Sequence, residues 1–202
     1  MHIAEGVLSA PILIAGGAAC AAGLAVGLKR LLTDRLATVA IFSATFFIAS
    51  LIHVPVGPSS VHLLLNGLIG LILGWAAFPA IFIGLLLQAI LFQFGGLTVL
   101  GCNTVNMALP AVLFGMAARP FLTKGKAMQL TAGFLCGVLS VFGAALLTAL
   151  CMFFTDEGFL TAAKLLFISE IPISVVEGLV TMLTAAFLMK VDPGLLLGRS
   201  GK

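Results

Sequence analysis

Charge is what this sequence lacks. Asp, Glu, Lys and Arg make up 8% of its 202 residues, against roughly 25% in an ordinary soluble domain. Hydrophobic residues make up 61%. Between Leu36 and Ala118, a stretch of 83 residues, there is not one charged side chain. That balance excludes a water-soluble globular fold. A helical crossing takes about 20 residues, so the uncharged stretch alone implies several. The net charge of +3 does not indicate a nucleic-acid binder, because the basic residues flank apolar runs and do not form a patch.

Other absences narrow the function. There is no G-x-x-x-x-G-K-[ST] phosphate loop, so energy for any pumping comes from elsewhere. There is no H-E-x-x-H and no G-x-S-x-G, which argues against a membrane-embedded hydrolase. The chain reads as a non-enzyme. Its four cysteines, Cys20, Cys102, Cys136 and Cys151, form no C-x-x-C pair. They read as small buried hydrophobes rather than a redox or zinc site. No secretory signal is expected, since no Lys or Arg precedes the first apolar run and Glu5 does. Met1 is therefore expected as the mature N-terminus. Repeats, low-complexity tails and soluble domains are missing too, leaving one transmembrane domain over residues 1–202.

What remains is apolar runs between breaks. Seven spans fit: Ala10–Leu31, Leu36–His53, Val61–Ala77, Pro79–Phe94, Gly101–Ala118, Gln129–Phe154 and Ile171–Lys190. The separators are charges, Gly and Pro, and in lipid only a helix satisfies its own backbone. The predicted fold is all-α and polytopic. Thr161–Ser169 reads as a short interfacial helix. With the N-terminus outside, the inner segments carry Lys29, Arg30, Arg35, Arg119, Lys124, Lys126, Lys190, Arg199 and Lys202, leaving only Lys164 outside. That bias predicts an outer N-terminus and a cytoplasmic C-terminus. It also gathers Met1–His2, the His53–His62 loop and the Gly95–Gly101 turn on the outer face. In the first span Ala15, Ala19, Gly23 and Gly27 recur every four residues, giving a flat face for close packing, internal or against another subunit.

The chain has three histidines, His2, His53 and His62, all expected on that face. A free terminal amine, the His2 backbone nitrogen and the His2 imidazole can close two fused chelate rings around one ion. The amine titrates near ~8, and metal binding displaces ligand protons. These donors lie in a plane, and a further imidazole completes the square. Such geometry favours Ni(II) or Cu(II) over zinc, and Co(II) can be held the same way. His53 ends a span just before Pro55, while His62 follows Gly57-Pro58-Ser59-Ser60-Val61 and opens the next helix. Either could supply the fourth nitrogen.

Three segments carry a resemblance: Met1-His2-Ile3-Ala4-Glu5-Gly6, Gly95-Gly96-Leu97-Thr98-Val99-Leu100-Gly101-Cys102-Asn103, and Glu170-Ile171-Pro172-Ile173-Ser174-Val175-Val176-Glu177-Gly178-Leu179. Together they resemble the cobalt/nickel substrate-binding membrane subunits of energy-coupling-factor transporters, the CbiM/NikM family. The resemblance implies seven helices, Co(II) or Ni(II) as cargo, and a metal site of Met1, His2 and a histidine after the second helix. The last maps to His62, with His53 as the alternative. Many members have a Ser-His-Pro-Thr-Gly type loop there, whereas this chain reads Ser59-Ser60-Val61-His62-Leu63-Leu64. Implied partners are a transmembrane coupling protein, two cytosolic ATPase subunits and a small accessory membrane protein. The implied setting is the cell inner membrane, supplying cobalt for cobalamin synthesis or nickel for metalloenzymes.

Glu170 and Glu177 are seven residues apart and share one helix face. An acid inside a span is a functional candidate. Glu177, Asn103 and Ser60 are expected around the site, with Glu177 accepting hydrogen bonds that fix the site or the Gly95–Asn103 loop. Asn66 and Asn106 read as loop anchors. The rival readings are uptake of an organic micronutrient, in which the histidines are incidental, and a purely structural scaffold.

Overall fold

The computed structural model describes residues 2–51, 53–56 and 59–197. Among these residues it is a bundle of eight α-helices with one small hairpin. In chain order these are α1 (Ala10–Lys29), α2 (Leu36–Ala49), β1 (His53–Val56), β2 (Ser59–His62), α3 (Asn66–Leu73), α4 (Ala77–Phe92), α5 (Leu100–Ala118), α6 (Lys126–Phe153), α7 (Leu160–Val191) and α8 (Pro193–Leu197).

Among the described residues five helical segments are long and apolar enough to cross a membrane: Ala10–Lys29, Asn66–Phe92, Leu100–Phe121, Lys126–Phe153 and Glu157–Val191. The second joins α3 and α4 across the turn Gly74–Ala76. With 14 residues, α2 rises about 21 Å, short of the roughly 30 Å hydrocarbon core.

The centre is α3, buried at every position. Only close backbone approach allows this. Gly67 lies on the backbone of Gly137, and Gly70 and Gly115 interlock where α3 meets α5, so a methyl at any of them would strike main chain. Small residues at such crossings are how helices pack in lipid. On one side α6 and α7 form a long hairpin against α3 and α5; on the other, α1 and α2 lie against α4. The outward faces are apolar, with Ile14, Ile41, Leu146 and Leu183 among the exposed residues. The small-residue stripe of α1 divides: Gly23 packs on Phe78 and Gly27 on Trp75 and Pro79, while Ala15 and Ala19 stay exposed.

Three boundaries differ from expectation. The second helix ends at Ala49, and His53–Val56 pairs antiparallel with Ser59–His62. Pro55 cannot continue a helix, and the β-branched Val54, Val56 and Val61 suit strands. Consequently His62 ends β2 and does not open a helix; α3 starts four residues later, at Asn66. Finally, Thr161–Ser169 is no separate interfacial helix. It forms the first turns of α7, which runs unbroken through Pro172 to Val191.

Candidate metal-binding site

Residues 2–9 are a strap folded into the protein. His2 is 6% exposed and Ile3 is fully buried. Asn103, in the first turn of α5, grips Ile3 from both sides. Its Oδ1 accepts from the Ile3 N–H at 3.0 Å, and its Nδ2 donates to the Ile3 carbonyl at 3.1 Å. The amide thus substitutes for a strand neighbour. Further along, the Glu5 N–H donates to the Gly95 carbonyl at 3.0 Å. The Thr98 N–H donates back to Glu5 Oε1 at 3.0 Å. That bond, together with the Thr98 side chain, holds the exposed Glu5 carboxyl below its ordinary value. The Ser9 N–H closes the strap by donating to Thr155 Oγ1 at 3.2 Å.

The loop that receives the strap needs its glycines. Gly95 and Gly96 have φ of +76° and +136°, backbone that L side chains adopt only under strain. A Cβ on Gly96 would collide with the Glu5 side chain, and one on Gly95 would sit 3.7 Å from His2 Cδ2. The His2 ring therefore lies beside the Gly95 backbone. Below it, Ile3, Leu8, Val99, Cys102 and Met152 form a small apolar cluster separate from the main core.

A second anchorage lies behind the hairpin. The Leu64 and Leu65 N–H groups both donate to Glu177 Oε1, the latter at 2.6 Å. Leu65 has φ +53°, a left-handed conformation costing about 1–3 kcal/mol unless its surroundings enforce it; the two bonds to one carboxyl oxygen enforce it here. Asn66 continues the clamp, its Nδ2 donating to the carbonyls of Ser140 at 3.2 Å and Met107 at 3.4 Å.

The residues singled out from the sequence fall into two groups. His2 and Asn103 meet at the strap. The hairpin register sets His53 opposite His62, and Ser60 opposite Pro55. Both strands pack on α7. Glu177 holds the segment just after His62; the Gly95–Asn103 loop is held instead by Glu5 and by Asn103 itself. Asn106 joins α5 to α6 through Thr148 Oγ1 at 3.3 Å. Met1 lies outside the described residues. Among the described residues no three His, Cys, Asp or Glu side chains are grouped closely enough to hold an ion.

Both oxygens of Glu170 and the Oε2 of Glu177 are buried without a partner among the described residues. Sequence reasoning gave Glu5 and Thr155 no role. Glu5 was legible in principle, since an acid beside an apolar N-terminal run needs donors, and Gly95-Gly96 offers exposed backbone. Thr155 left no such mark.

Comparison with known proteins converges on one family. Residues 2–195 match the family described as "Cobalt uptake substrate-specific transmembrane region", CbiM. A Haemophilus influenzae protein named provisionally for metal transport is 46% identical over 196 residues, covering 96% of this chain and 95% of its own. The fused nickel transport protein NikMN of Rhodobacter capsulatus is 34% identical over 134 residues, 63% of this chain and 39% of that protein. A crystal structure of a transition metal transporter superposes with a TM-score of 0.83 at 28% identity, covering 96% of this chain and 94% of the other. The chain therefore belongs to the CbiM family of transmembrane proteins for cobalt uptake, whose relatives also include nickel transport proteins.

Proposed function

We propose that this protein is the substrate-capture subunit of an energy-coupling-factor importer for Co(II) or Ni(II) in the cell inner membrane. The metal is bound by the Met1 amine, the backbone and imidazole nitrogens of His2, and His62, with His53 as the alternative fourth donor. The observation that supports this reading most is the strap. A chain whose second residue is a histidine buries that histidine and fixes the next residue by two hydrogen bonds to one asparagine. A terminus that served no purpose would fray.

In this reading the strap presents three nitrogens in one plane, and the hairpin presents the fourth. Planarity favours Ni(II) or Cu(II) over zinc, and Co(II) can be held the same way. Binding displaces protons from the amine and the amide, so affinity rises with pH. The long apolar helical segments cross the membrane, the N-terminus faces outward, and the arginine- and lysine-rich ends face the cytosol. A transmembrane coupling protein, two cytosolic ATPase subunits and a small accessory membrane protein supply the energy and the delivery. The chain is one domain without a nucleotide site of its own. Asn103, Glu177 and Ser60 act on the ligands' positions.

Competitive Co(II) and Ni(II) titration of untagged protein tests the donor set. His62→Ala is expected to weaken binding more than His53→Ala. The opposite ranking transfers the fourth position to His53, and loss of neither affinity overturns the hairpin's part in the site.

A further inference from the structure

The end of the bundle remote from the strap carries a second feature. α1 and α5 both start beside the strap, and their far ends lead into Arg30 and Arg119. About 30 Å of helix separates the two ends. There Arg30, Arg35 and Arg119 line one cavity of about 220 Å³ together with Trp75, Leu32 and Met116, and among the described residues no acidic one lines it.

Capping explains part of this cluster. The Arg119 Nε and Nη2 donate to the Leu71 and Ile72 carbonyls at 2.9 and 3.0 Å, capping the C-terminal end of α3. Gly74, with φ +57°, makes room, since a Cβ there would lie 3.2 Å from Arg119 Nη2. The Arg35 Nη2 donates to the Gly194 carbonyl at 3.3 Å. Arg30 stacks over Trp75 at 5.6 Å from the ring centroid. None of these roles requires three guanidinium groups, two from the α1–α2 connection and one from the end of α5, to share one wall. Like charges held together repel, and an anion between them removes that penalty.

We infer that this cavity, lined by Arg30, Arg35 and Arg119, binds the phosphate headgroup of an anionic phospholipid. Arginine forks match phosphate oxygens in pairs. Basic pockets between transmembrane helices hold acidic headgroups, and tryptophan is at home at that depth. The rim selects a lipid over a soluble anion. Leu28, Leu32, Leu36 and Met116 are 41–57% exposed beside the arginines, giving an acyl chain an apolar track leading from the charged wall.

The test is native mass spectrometry and thermal melting of the full chain in detergent with added phosphatidylglycerol, phosphatidylcholine or inorganic phosphate alone. Phosphatidylglycerol should be retained and raise the melting temperature, with phosphatidylcholine and free phosphate much weaker. The paired substitution Arg30→Gln with Arg35→Gln should lower the preference for phosphatidylglycerol over phosphatidylcholine by roughly 30-fold, the amount expected of two interfacial arginines. Lys124→Gln with Lys126→Gln removes the same charge elsewhere and should leave the preference intact. Because the readout is a ratio between two lipids, it survives a general loss of stability. Equal retention of both lipids, equal protection by inorganic phosphate, or an unchanged ratio in the arginine pair each overturns the inference. A site reserved for an acidic segment of a partner protein gives the first of these results.

Discussion

Asn103→Ala is the perturbation that should separate a purposeful N-terminus from an incidental one. The side chain makes both of its strong bonds to a single residue, Ile3, at 3.0 and 3.1 Å, in a fully buried place. Truncation leaves the Ile3 N–H and carbonyl without partners. A buried unsatisfied group costs about 1–3 kcal/mol, so the docked strap loses about 2–6 kcal/mol. The helix itself is spared, because alanine is the best helix former. The strap can recover hydration only by undocking, which exposes Ile3 and forfeits a further ~1.5–3 kcal/mol of burial. Apparent affinity falls with the docked fraction. Even the lower figure corresponds to roughly 30-fold. We expect Co(II) affinity at least tenfold weaker by competition titration, with helical content little changed. Asn106→Ala is the control, since Asn106 bonds Thr148 and not the strap. Parent-like affinity in Asn103→Ala, or equal losses in both variants, would refute the reasoning.

Glu177→Ala leaves two buried N–H groups, of Leu64 and Leu65, without their acceptor; at about 1–3 kcal/mol each, a clear drop in melting temperature should follow. Glu177→Gln keeps a carbonyl oxygen and should melt close to the parent, so an equal loss in Gln would show that charge, not acceptance, is what matters there. Glu5 gives a pH signature. Its folded value is lowered by the Thr98 N–H, so its contribution is complete above the ordinary value of 4.5 and fades as pH falls through the lowered one. The hydrogen-exchange protection factor of the Thr98 amide, measured against its intrinsic rate at each pH, should fall on acidification through that range and lose this dependence in Glu5→Gln. Because Glu5 is exposed, solvent screening keeps the effect small.

The sequence made some features legible and hid others, for physical reasons. The 83 uncharged residues from Leu36 to Ala118 announced apolar helices, because no other structure satisfies its backbone in lipid. Breaks made of Gly, Pro and charge located the helices, and α1, α5 and α6 lie within a few residues of their expected places. Hairpin β1–β2 was hidden because strand alternation over four residues is too short to stand out beside 3.6-residue periodicity. Thr161–Ser169 was read apart from the last span, yet neither Glu170 nor the missing N–H of Pro172 interrupts the 32-residue helix. At the site, His2 stood out through the chemistry of its position. Asn103 was legible only as a polar group near a helix end, because its partner, Ile3, is 100 residues away and offers only backbone. The role of Glu177 was legible as hydrogen-bond acceptance, but not its target, since Leu64 and Leu65 present no polar side chain.

The central claim is that the amine of Met1 donates to the metal, and a single added residue tests it most directly. Protein that begins at Met1 is titrated with Co(II) and Ni(II) beside protein carrying one glycine before Met1, both checked for unchanged melting. The account predicts one tightly bound ion per chain in the first and loss of that binding in the second, because an acylated nitrogen is a poor ligand. Stoichiometric binding of equal strength in both would contradict it.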